Sequence, residues 1–272
     1  MNQAEKGKIF RALHERDRAF IIPNPWDIGS ARLLAHLGFE ALATTSAGYA
    51  FSVGQHDNEA PQEETLTHLA QMASATNLPV SADLGKGFGD SPEAAAETIR
   101  LAAAAGVVGG SIEDMTKEHD RQLYEIEFAA ERVRAAVEAA RSLSFTFTLT
   151  ARAENYLVGQ PDLKETIKRL QAYEEAGADV LYAPGITKKE EIVSVVTSVR
   201  RPVNMLMGMQ GVELSLSELS EIGVKRISVG SALSRAALGG FLRAAREMQT
   251  HGTFTWVDDA VNSRELVAML YA

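Results

Sequence analysis

The sequence predicts a single (β/α)8 barrel that spans residues 1–272. Two observations support this prediction: a helix–glycine–strand pattern recurs along the chain, and the predicted strands and helices alternate strictly until eight of each are counted. The length of 272 residues and the hydrophobic content of 46% suit the fold, because such barrels take about 250 residues around one core. No Pro/Gly/Ser-rich linker divides the chain, so one domain is expected.

The recurring pattern is an Ala/Leu-rich helical segment that ends in glycine and runs directly into a short apolar strand. It occurs four times, around Gly38, Gly106, Gly177 and Gly223. Glycine there suits the left-handed residue that closes a helix. The following strands are apolar at successive positions, which is typical of strands buried on both faces of a parallel sheet. The pattern therefore predicts repeated βα units.

The first four units follow from short apolar runs and the helical stretches between them. The predicted strands are 20–22, 40–45, 79–83 and 107–112, and the helices that follow them are 28–37, 62–77, 92–105 and 125–141. Ser91-Pro92-Glu93 supplies an N-cap serine, a proline at the first helical position and an acid in the first turn. This combination is typical of a helix start.

The last four units complete the ring. The predicted strands are 145–151, 179–182, 202–206 and 225–229, with helices at 161–176, 188–199, 215–222 and 231–249. An open doubly wound sheet is the alternative architecture, but it more often stops at five or six strands. The tail, 250–272, contains the apolar stretch SRELVAMLYA, which we expect to pack on the barrel exterior or on a neighbouring subunit.

Composition excludes several functional classes. The net charge is −9 with no basic patch, which argues against a nucleic-acid partner. The absence of cysteine excludes disulfides, thiolate catalysis and Cys-ligated zinc. The N-terminal segment is charged and has no apolar signal-peptide core, and no uncharged apolar stretch reaches the ~20 residues that span a bilayer. We therefore expect a cytoplasmic enzyme without a membrane partner.

Polar residues at the ends of the predicted strands indicate where the chemistry lies, since barrel enzymes place catalytic groups on the loops that follow the strands. Asp83, Glu113 and Glu154 follow three consecutive strands, and Arg152 stands beside them. Clustered carboxylates are costly to bury unless a cation or hydrogen bonds offset their repulsion. Mg2+ is the natural partner of such oxygen ligands. The alternative interpretation is a network of buried salt bridges that closes the barrel.

A glycine-rich loop, Gly85-Lys-Gly-Phe-Gly89, follows Asp83. It lacks the Gly-x-x-x-x-Gly-Lys-Ser/Thr spacing of a phosphate-binding P-loop. We expect it instead to let the backbone approach a ligand closely and to leave the loop free to bend.

Three segments together resemble a known family. PVSADLGKGFGD, GGSIED and LTARAEN, in this order and at these strand ends, look like the phosphoenolpyruvate mutase/isocitrate lyase superfamily, and the similarity extends from about residue 20 to 250. The resemblance implies a Mg2+-dependent barrel, with Mn2+ as the alternative ion. It implies action on a 2-oxo acid or its enol, with a C–C or P–C bond made or broken beside the carbonyl. It also implies a homo-oligomer, tetramer or dimer, in which the last helix can be exchanged between subunits.

The resemblance also assigns roles to individual residues. Asp83 and Glu113 match the family's metal shell, Arg152 its substrate arginine, and Asp57 an aspartate after the second strand. With Glu154, Arg152 and Asp57 form the predicted catalytic set. The predicted substrate-binding residues are the carboxylate-binding turn, the residue at the first aspartate position of the third strand, the arginine and a polar residue of the seventh strand: Thr45, Ser46, Ala47, Ser81, Arg152 and Asn204.

The sequence departs from the family at three places. The first of two aspartates after the third strand is Ser81, which affects metal binding. The lyases of the family carry a catalytic cysteine in the loop after the fourth strand, where this chain reads DMTKEHDRQLYEIE and has none. A histidine of the mutases falls on Ala183. These departures argue against an isocitrate or methylisocitrate lyase of the usual kind and weaken a phosphonomutase assignment.

The expected reaction is decarboxylation of an oxaloacetate-like 2-oxo acid through a metal-stabilised enolate, because CO2 leaves without a general base. Cleavage of a hydroxy acid needs a base, for which the candidates are Glu154, Tyr156, Tyr182 and His119. Two lysines, Lys86 and Lys117, are candidate contacts of an anionic ligand. A P–C bond enzyme that acts on a phosphonopyruvate-type substrate, and a non-catalytic ligand-binding barrel, remain the alternatives.

Overall fold

A computed structural model describes residues 1–57, 59–116 and 122–271. Its eight strands are all parallel and hydrogen-bonded in the order β1-β8-β7-β6-β5-β4-β3-β2. The strands are β1 Phe20–Ile22, β2 Leu42–Ala43, β3 Val80–Asp83, β4 Gly109–Glu113, β5 Thr148–Arg152, β6 Val180–Tyr182, β7 Val203–Leu206 and β8 Arg226–Ser228. The backbone N–H of Ala43 donates to the carbonyl of Pro23 at 3.1 Å and joins the two ends of the sheet. The predicted (β/α)8 barrel is confirmed.

The helices surround the barrel. They are α1 Gln3–His14, α2 Ile28–His36, α3 Ser46–Val53, α4 Gln62–Ala75, α5 Pro92–Ala104, α6 Ile126–Arg141, α7 Leu163–Glu175, α8 Lys189–Ser198, α9 Leu216–Ile222, α10 Ala232–His251 and α11 Ser263–Leu270, with a 3-10 helix Thr255–Asp259. The four glycines predicted to close helices, Gly38, Gly106, Gly177 and Gly223, have φ of 85°, 99°, 101° and 101°. This left-handed backbone favours glycine, as the sequence pattern predicted.

Three helices lie outside the predicted alternation: α1, α3 and the C-terminal α11. Helix α1 packs Phe10 and Leu13 against Phe20, Ile22 and Val108 in a separate apolar cluster, in which Phe20 begins β1 and Val108 directly precedes β4, both at the amino ends of strands. It therefore closes that end of the barrel. Helix α3 follows β2 directly and places its first turn at the opposite end, where the strands finish.

The C-terminal region leaves the compact barrel. Helix α10 has 20 residues, of which only Ser234 is buried, and its apolar side chains Leu238 and Phe241 are exposed. Helix α11 packs against α2 on the outside of the barrel. In the described part of the chain, no helix combines the length and apolar character that crossing a bilayer requires.

The strand register places five polar residues in one row across half of the barrel. Glu113 pairs with Arg152, Arg152 with Tyr182, Tyr182 with Asn204, and Asn204 with Arg226. Because the strands of a barrel are tilted, this row begins at the last residue of β4 and ends at the first residue of β8. It connects the predicted site to the interior of the barrel.

Candidate active site

The centre of the site is the guanidinium of Arg152, the last residue of β5. Its Nη1 lies 2.7 Å from Asp83 Oδ1 and 3.1 Å from Glu113 Oε2. Its Nε and Nη2 lie 3.0 and 2.9 Å from Glu154 Oε1. The guanidinium carbon also lies 5.2 Å from the centre of the Tyr182 ring. Three strand ends thus place three carboxylates around one arginine, whose pKa stays well above its ordinary value because those carboxylates outweigh the effect of burial.

Asp83 is held from both sides of its carboxylate. While Oδ1 pairs with Arg152, Oδ2 accepts hydrogen bonds from the backbone N–H and the hydroxyl of Ser46, both at 3.0 Å. The Asp83 N–H donates to the hydroxyl of Thr44 at 2.9 Å. Thr45 caps α3 by accepting from the Gly48 N–H at 3.2 Å. The first turn of α3 is therefore fixed against the end of β3.

Glu113 is deeply buried, with 4% exposure, as is Glu154 with 3%. Its pKa is raised to about 8, first by burial, while Arg152 lowers it and the neighbouring Glu154 and Asp83 carboxylates raise it further. One arginine among three carboxylates leaves an excess of negative charge at the site. This excess contributes to the raised pKa of Glu113, because nearby negative charges disfavour its ionised form.

Glu154 is positioned by a second buried hydrogen-bond network, centred on Asp114. Its backbone N–H donates to Asp114 Oδ1 at 2.8 Å. Asp114 Oδ2 accepts from Arg169 Nη1 at 3.0 Å and from the Tyr173 hydroxyl at 2.5 Å. Burial raises the pKa of the Glu154 carboxyl, and Arg152 opposes that effect. The group can therefore hold a proton closer to neutral pH than an exposed glutamate does.

The glycine-rich loop is anchored rather than free to bend, which corrects the expectation from its sequence. Arg132 of α6, fully buried beneath it, donates from Nε to the Asp90 carbonyl at 2.8 Å and from Nη2 to the carbonyls of Gly89, at 3.1 Å, and Lys86. The Phe88 N–H donates to the hydroxyl of Thr98 at 2.9 Å. The loop therefore keeps one shape over the site.

One cavity of about 320 Å³ at the carboxyl ends of the strands is lined by all ten residues predicted for catalysis, substrate binding and metal binding. Its lining includes Thr45, Ser46, Ala47, Asp57, Ser81, Asp83, Glu113, Arg152, Glu154 and Asn204. A second cavity of about 370 Å³ adjoins it, shares Asp83 and Glu113, and is lined by Lys86, whose ammonium pairs with Asp90. The structure thus brings the ten residues together, and their individual roles stay predictions.

The other candidate bases are placed differently. Tyr182 lines the cavity, but burial raises its pKa to about 12. Tyr156 donates to Glu191 at 3.2 Å, and burial and that carboxylate raise its pKa to about 12 as well. Neither phenol suits a general base at neutral pH. His119, a candidate base, and Lys117, a candidate anion contact, lie outside the described residues. Glu154 remains the candidate for proton transfer.

Sequence reasoning missed two arginines, because neither follows a strand. Arg132 lies in the middle of α6, and Arg226 is the first residue of β8. Arg226 lines the same cavity and donates from Nε to Asn204 Oδ1 at 2.8 Å. Asn204 Nδ2 in turn donates to the Ser228 hydroxyl at 3.0 Å. Strand register could have identified Arg226, whereas nothing in the sequence distinguishes Arg132 from a surface arginine.

The donor set is compatible with Mg2+. Among the described residues no cluster of three or more acidic, imidazole or thiol ligands is arranged around a common point. Mg2+, however, commonly uses only one or two carboxylates and completes its shell with water and substrate oxygens. Asp83 and Glu113 supply two carboxylates, the Ser81 hydroxyl lies in the same cavity, and the site carries more negative charge than Arg152 neutralises.

Comparison with known proteins agrees with the resemblance of the motifs. The family model for phosphoenolpyruvate phosphomutase matches residues 10–249. An uncharacterized protein of Mycobacterium tuberculosis is 32% identical over 238 residues, 87% of each chain.

Solved structures give the same result. A Burkholderia cenocepacia J2315 protein provisionally assigned as a lyase/mutase is 61% identical with a TM-score of 0.97 and covers 99% of this chain and 97% of its own. A 2,3-dimethylmalate lyase of the superfamily is 27% identical with a TM-score of 0.85, over 99% and 94% of the chains. An oxaloacetate acetylhydrolase with bound oxalate is 25% identical with a TM-score of 0.86, over 97% and 94%.

Proposed function

Because the chain belongs to the phosphoenolpyruvate mutase/isocitrate lyase superfamily, whose enzymes break C–C or P–C bonds in small acids, we propose that it is a Mg2+-dependent lyase of an oxaloacetate-like 2-oxo acid. The observation that supports this most directly is the pairing of Arg152 with three carboxylates inside the cavity. Oxaloacetate acetylhydrolase, among the similar structures, acts on a substrate of this class. The structural similarity of this chain to that enzyme supports oxaloacetate as the substrate to test first.

Arg152 stabilises the charge that develops on the substrate. The guanidinium is fixed by Asp83, Glu113 and Glu154, so it needs no reorganisation when an oxyanion forms. Preorganised positive charge in a buried site lowers the barrier for forming such an anion. In the reaction, the C3–C4 bond breaks, its electron pair forms the C2=C3 bond of the enolate, and the C4 carboxylate leaves as CO2.

The enolate then takes a proton at C3 to give the 2-oxo product. We assign this proton transfer to Glu154, because its carboxyl lines the cavity and burial raises its pKa. Asp57, which lies on the exposed side of the same cavity, is assigned to orient the water that exchanges protons with the site.

The carboxylate beside the keto group would bind at the first turn of α3. The Ser46 N–H already donates to Asp83, so we assign the next helical N–H, at Ala47, to the substrate. The initial N–H groups of a helix have no partner within the helix and favour anions. Thr45, Ser81 and Asn204 line the rest of this end of the cavity and complete the proposed substrate-binding set.

Asp83 and Glu113 would hold the Mg2+, with Mn2+ as the alternative ion, and Ser81 would contribute at most a neutral oxygen. When bound, the divalent ion supplies positive charge beside the keto oxygen. With one charged side chain fewer at position 81 than the family pattern has, we expect weaker metal affinity than that pattern gives.

A product assay tests the proposal. The enzyme is incubated with a panel of 2-oxo acids that includes oxaloacetate and phosphonopyruvate, in Mg2+, in Mn2+ and in chelator, while pyruvate, CO2 and phosphate are followed. We expect pyruvate and CO2 from an oxaloacetate-like acid, with turnover lost in chelator. Release of phosphate instead would identify a P–C bond enzyme.

Three variants make the assay specific for the site. Arg152→Lys keeps a charge but cannot reach all three carboxylates, and Glu154→Gln removes the proton-carrying group, so each should lower kcat by roughly 100-fold or more. Arg100→Ala, which removes the exposed pair with Glu97, is the matched control and should leave kcat unchanged. Equal activity in wild type and Arg152→Lys would contradict the proposed role of the arginine.

A further inference from the structure

Arg226 is a buried arginine, and part of its guanidinium has no hydrogen-bond partner among the residues that the structure describes. It begins β8 and is 5% exposed. Its Nε donates to Asn204 Oδ1 at 2.8 Å. Its Nη1 is buried and has no hydrogen-bond partner among the residues that the structure describes. Burying a charged donor without a partner is costly, so this position needs an explanation.

The other buried arginines of the described chain are paired differently. Arg152 meets three carboxylates, and Arg169 meets Asp114 and Glu165. Arg132 donates to four backbone carbonyls. For Arg226, no carboxylate of residues 1–57, 59–116 or 122–271 lies within ion-pair distance. Arg169 Nε also has no partner among the described residues, but the charge of that arginine is paired with carboxylates, whereas the charge of Arg226 is not.

The position of Arg226 relates this unused group to the active site. Arg226 and Arg152 line the same cavity of about 320 Å³, and the row Arg152–Tyr182–Asn204–Arg226 connects them through strand register. Neighbouring strands lie about 4.8 Å apart. Burial lowers the pKa of Arg226 to about 10, and the charge of Arg152 contributes to that fall. The cavity therefore has an arginine at each side: Arg152 is paired with three carboxylates, whereas Arg226 is paired with none that the structure describes.

Asn204 fixes the direction of the Arg226 side chain. Asn204 accepts from Arg226 Nε and donates to the Ser228 hydroxyl, so its amide is locked by a partner at each end. A guanidinium anchored through Nε keeps its two remaining nitrogens in a fixed plane, the geometry that suits bidentate recognition of a carboxylate.

We infer that Arg226 is a specificity-determining residue that binds a second, distal carboxylate of the substrate from within the barrel. This inference rests on the proposed function and extends it to the residue that binds the second carboxylate of the substrate. The site would then select dicarboxylic acids over monocarboxylic acids of the same length. In oxaloacetate this second carboxylate is C4, the group that leaves as CO2, so Arg226 holds the substrate before the C3–C4 bond breaks, and its effect is on binding.

The test compares two ligands that differ only at the distal group. Malate and 2-hydroxybutanoate have the same chain length, and a methyl group replaces the second carboxylate in the latter. Their affinities are measured by calorimetry with the full chain in Mg2+, for wild type, Arg226→Gln and Arg226→Lys. We expect wild type to prefer malate by about 10- to 100-fold, which is the usual worth of a charge-assisted hydrogen bond. Arg226→Gln should lose that preference and bind 2-hydroxybutanoate as wild type does.

Arg226→Lys separates recognition from folding. It retains a positive charge, so it should keep part of the preference for malate even where the loss of the Asn204 contact lowers the unfolding temperature. If wild type shows no preference, or if both variants weaken the two ligands equally, the inference is wrong. Selective binding of malate without turnover of any 2-oxo acid would support Arg226 and contradict the proposed reaction instead.

Discussion

Arg132 Nη1 donates a hydrogen bond at 3.2 Å to the backbone carbonyl of Glu113, the residue whose carboxylate faces Arg152. The same guanidinium holds the carbonyls of the glycine-rich loop. One helix side chain therefore fixes both the end of β4 and the loop that follows β3. The geometry of the carboxylates depends on a residue that lies outside the cavity.

Replacing Arg132 should destabilise the protein and loosen the loop. Arg132→Met leaves several buried carbonyls without a donor, each costing about 1–3 kcal/mol, so we expect a loss of at least about 3 kcal/mol in the free energy of unfolding. Arg132→Lys should recover only part of it, because an ammonium cannot reproduce the planar fork. Urea unfolding and limited proteolysis of residues 85–90 measure the effects. Arg134→Met, at an exposed position of the same helix, is the control.

Replacing Glu113 should change how the stability of the metal-free protein depends on pH. The folded-state pKa of Glu113, about 8, lies above its ordinary 4.5. The folded protein therefore binds more protons than the unfolded chain between these values, and its stability without metal falls as the pH rises through this window. Glu113→Gln should remove that fall, so the variant unfolds at higher urea than wild type at pH 9 in chelator.

The same variant should lose the response to metal. Mg2+ should raise the unfolding temperature of wild type and of the control Glu97→Gln, whose side chain is exposed and pairs with Arg100, but not of Glu113→Gln. Stabilisation follows from binding to the folded state alone. An unchanged Mg2+ response in Glu113→Gln would exclude this carboxylate as a ligand.

Local patterns predicted the strands and the helix ends, because each depends on a few neighbouring residues. Helix α1 was not predicted because it is stabilised by tertiary contacts. Phe10 and Leu13 pack at the amino end of a barrel that is completed by residues far along the chain. The carboxylates were found because they follow strands. Arg132 and Arg226 were not, because their roles depend on packing between α6 and the loop and on the tilt of the strands.

Two buried histidines should make the protein sensitive to acid. Burial lowers the pKa of His14 to about 3 and of His68 to about 4, from an ordinary 6.5. Below pH 6.5 the unfolded chain takes up protons that the folded protein does not, so stability falls as the pH drops from 6.5 to 4. At about 1.4 kcal/mol per pKa unit, the loss is on the order of 3 kcal/mol for each histidine.

The measurement is urea unfolding at pH 7, 5.5 and 4 for wild type and for His14→Phe/His68→Phe, which keeps aromatic volume at both positions. The double variant should lose less stability on acidification than wild type. His36→Gln, at an exposed position of α2, serves as the control and should follow the wild-type curve. Parallel curves for the double variant and wild type would assign the acid sensitivity to other groups.

The apolar face of α10 should hold a homo-oligomer together, as we propose from the resemblance to the superfamily. Phe241 is 67% exposed, and Leu238, Leu242 and Met248 are exposed on the same helix. A contiguous apolar surface of this kind marks an interface with another protein surface. In a symmetric dimer the same patch occurs on both subunits, so one substitution places a charge on both sides of the interface.

Phe241→Asp should therefore reduce the mass in light scattering to that of a 29.4 kDa monomer. Val193→Asp, on the exposed face of α8, should leave it unchanged. A monomeric wild type would contradict the proposed oligomer.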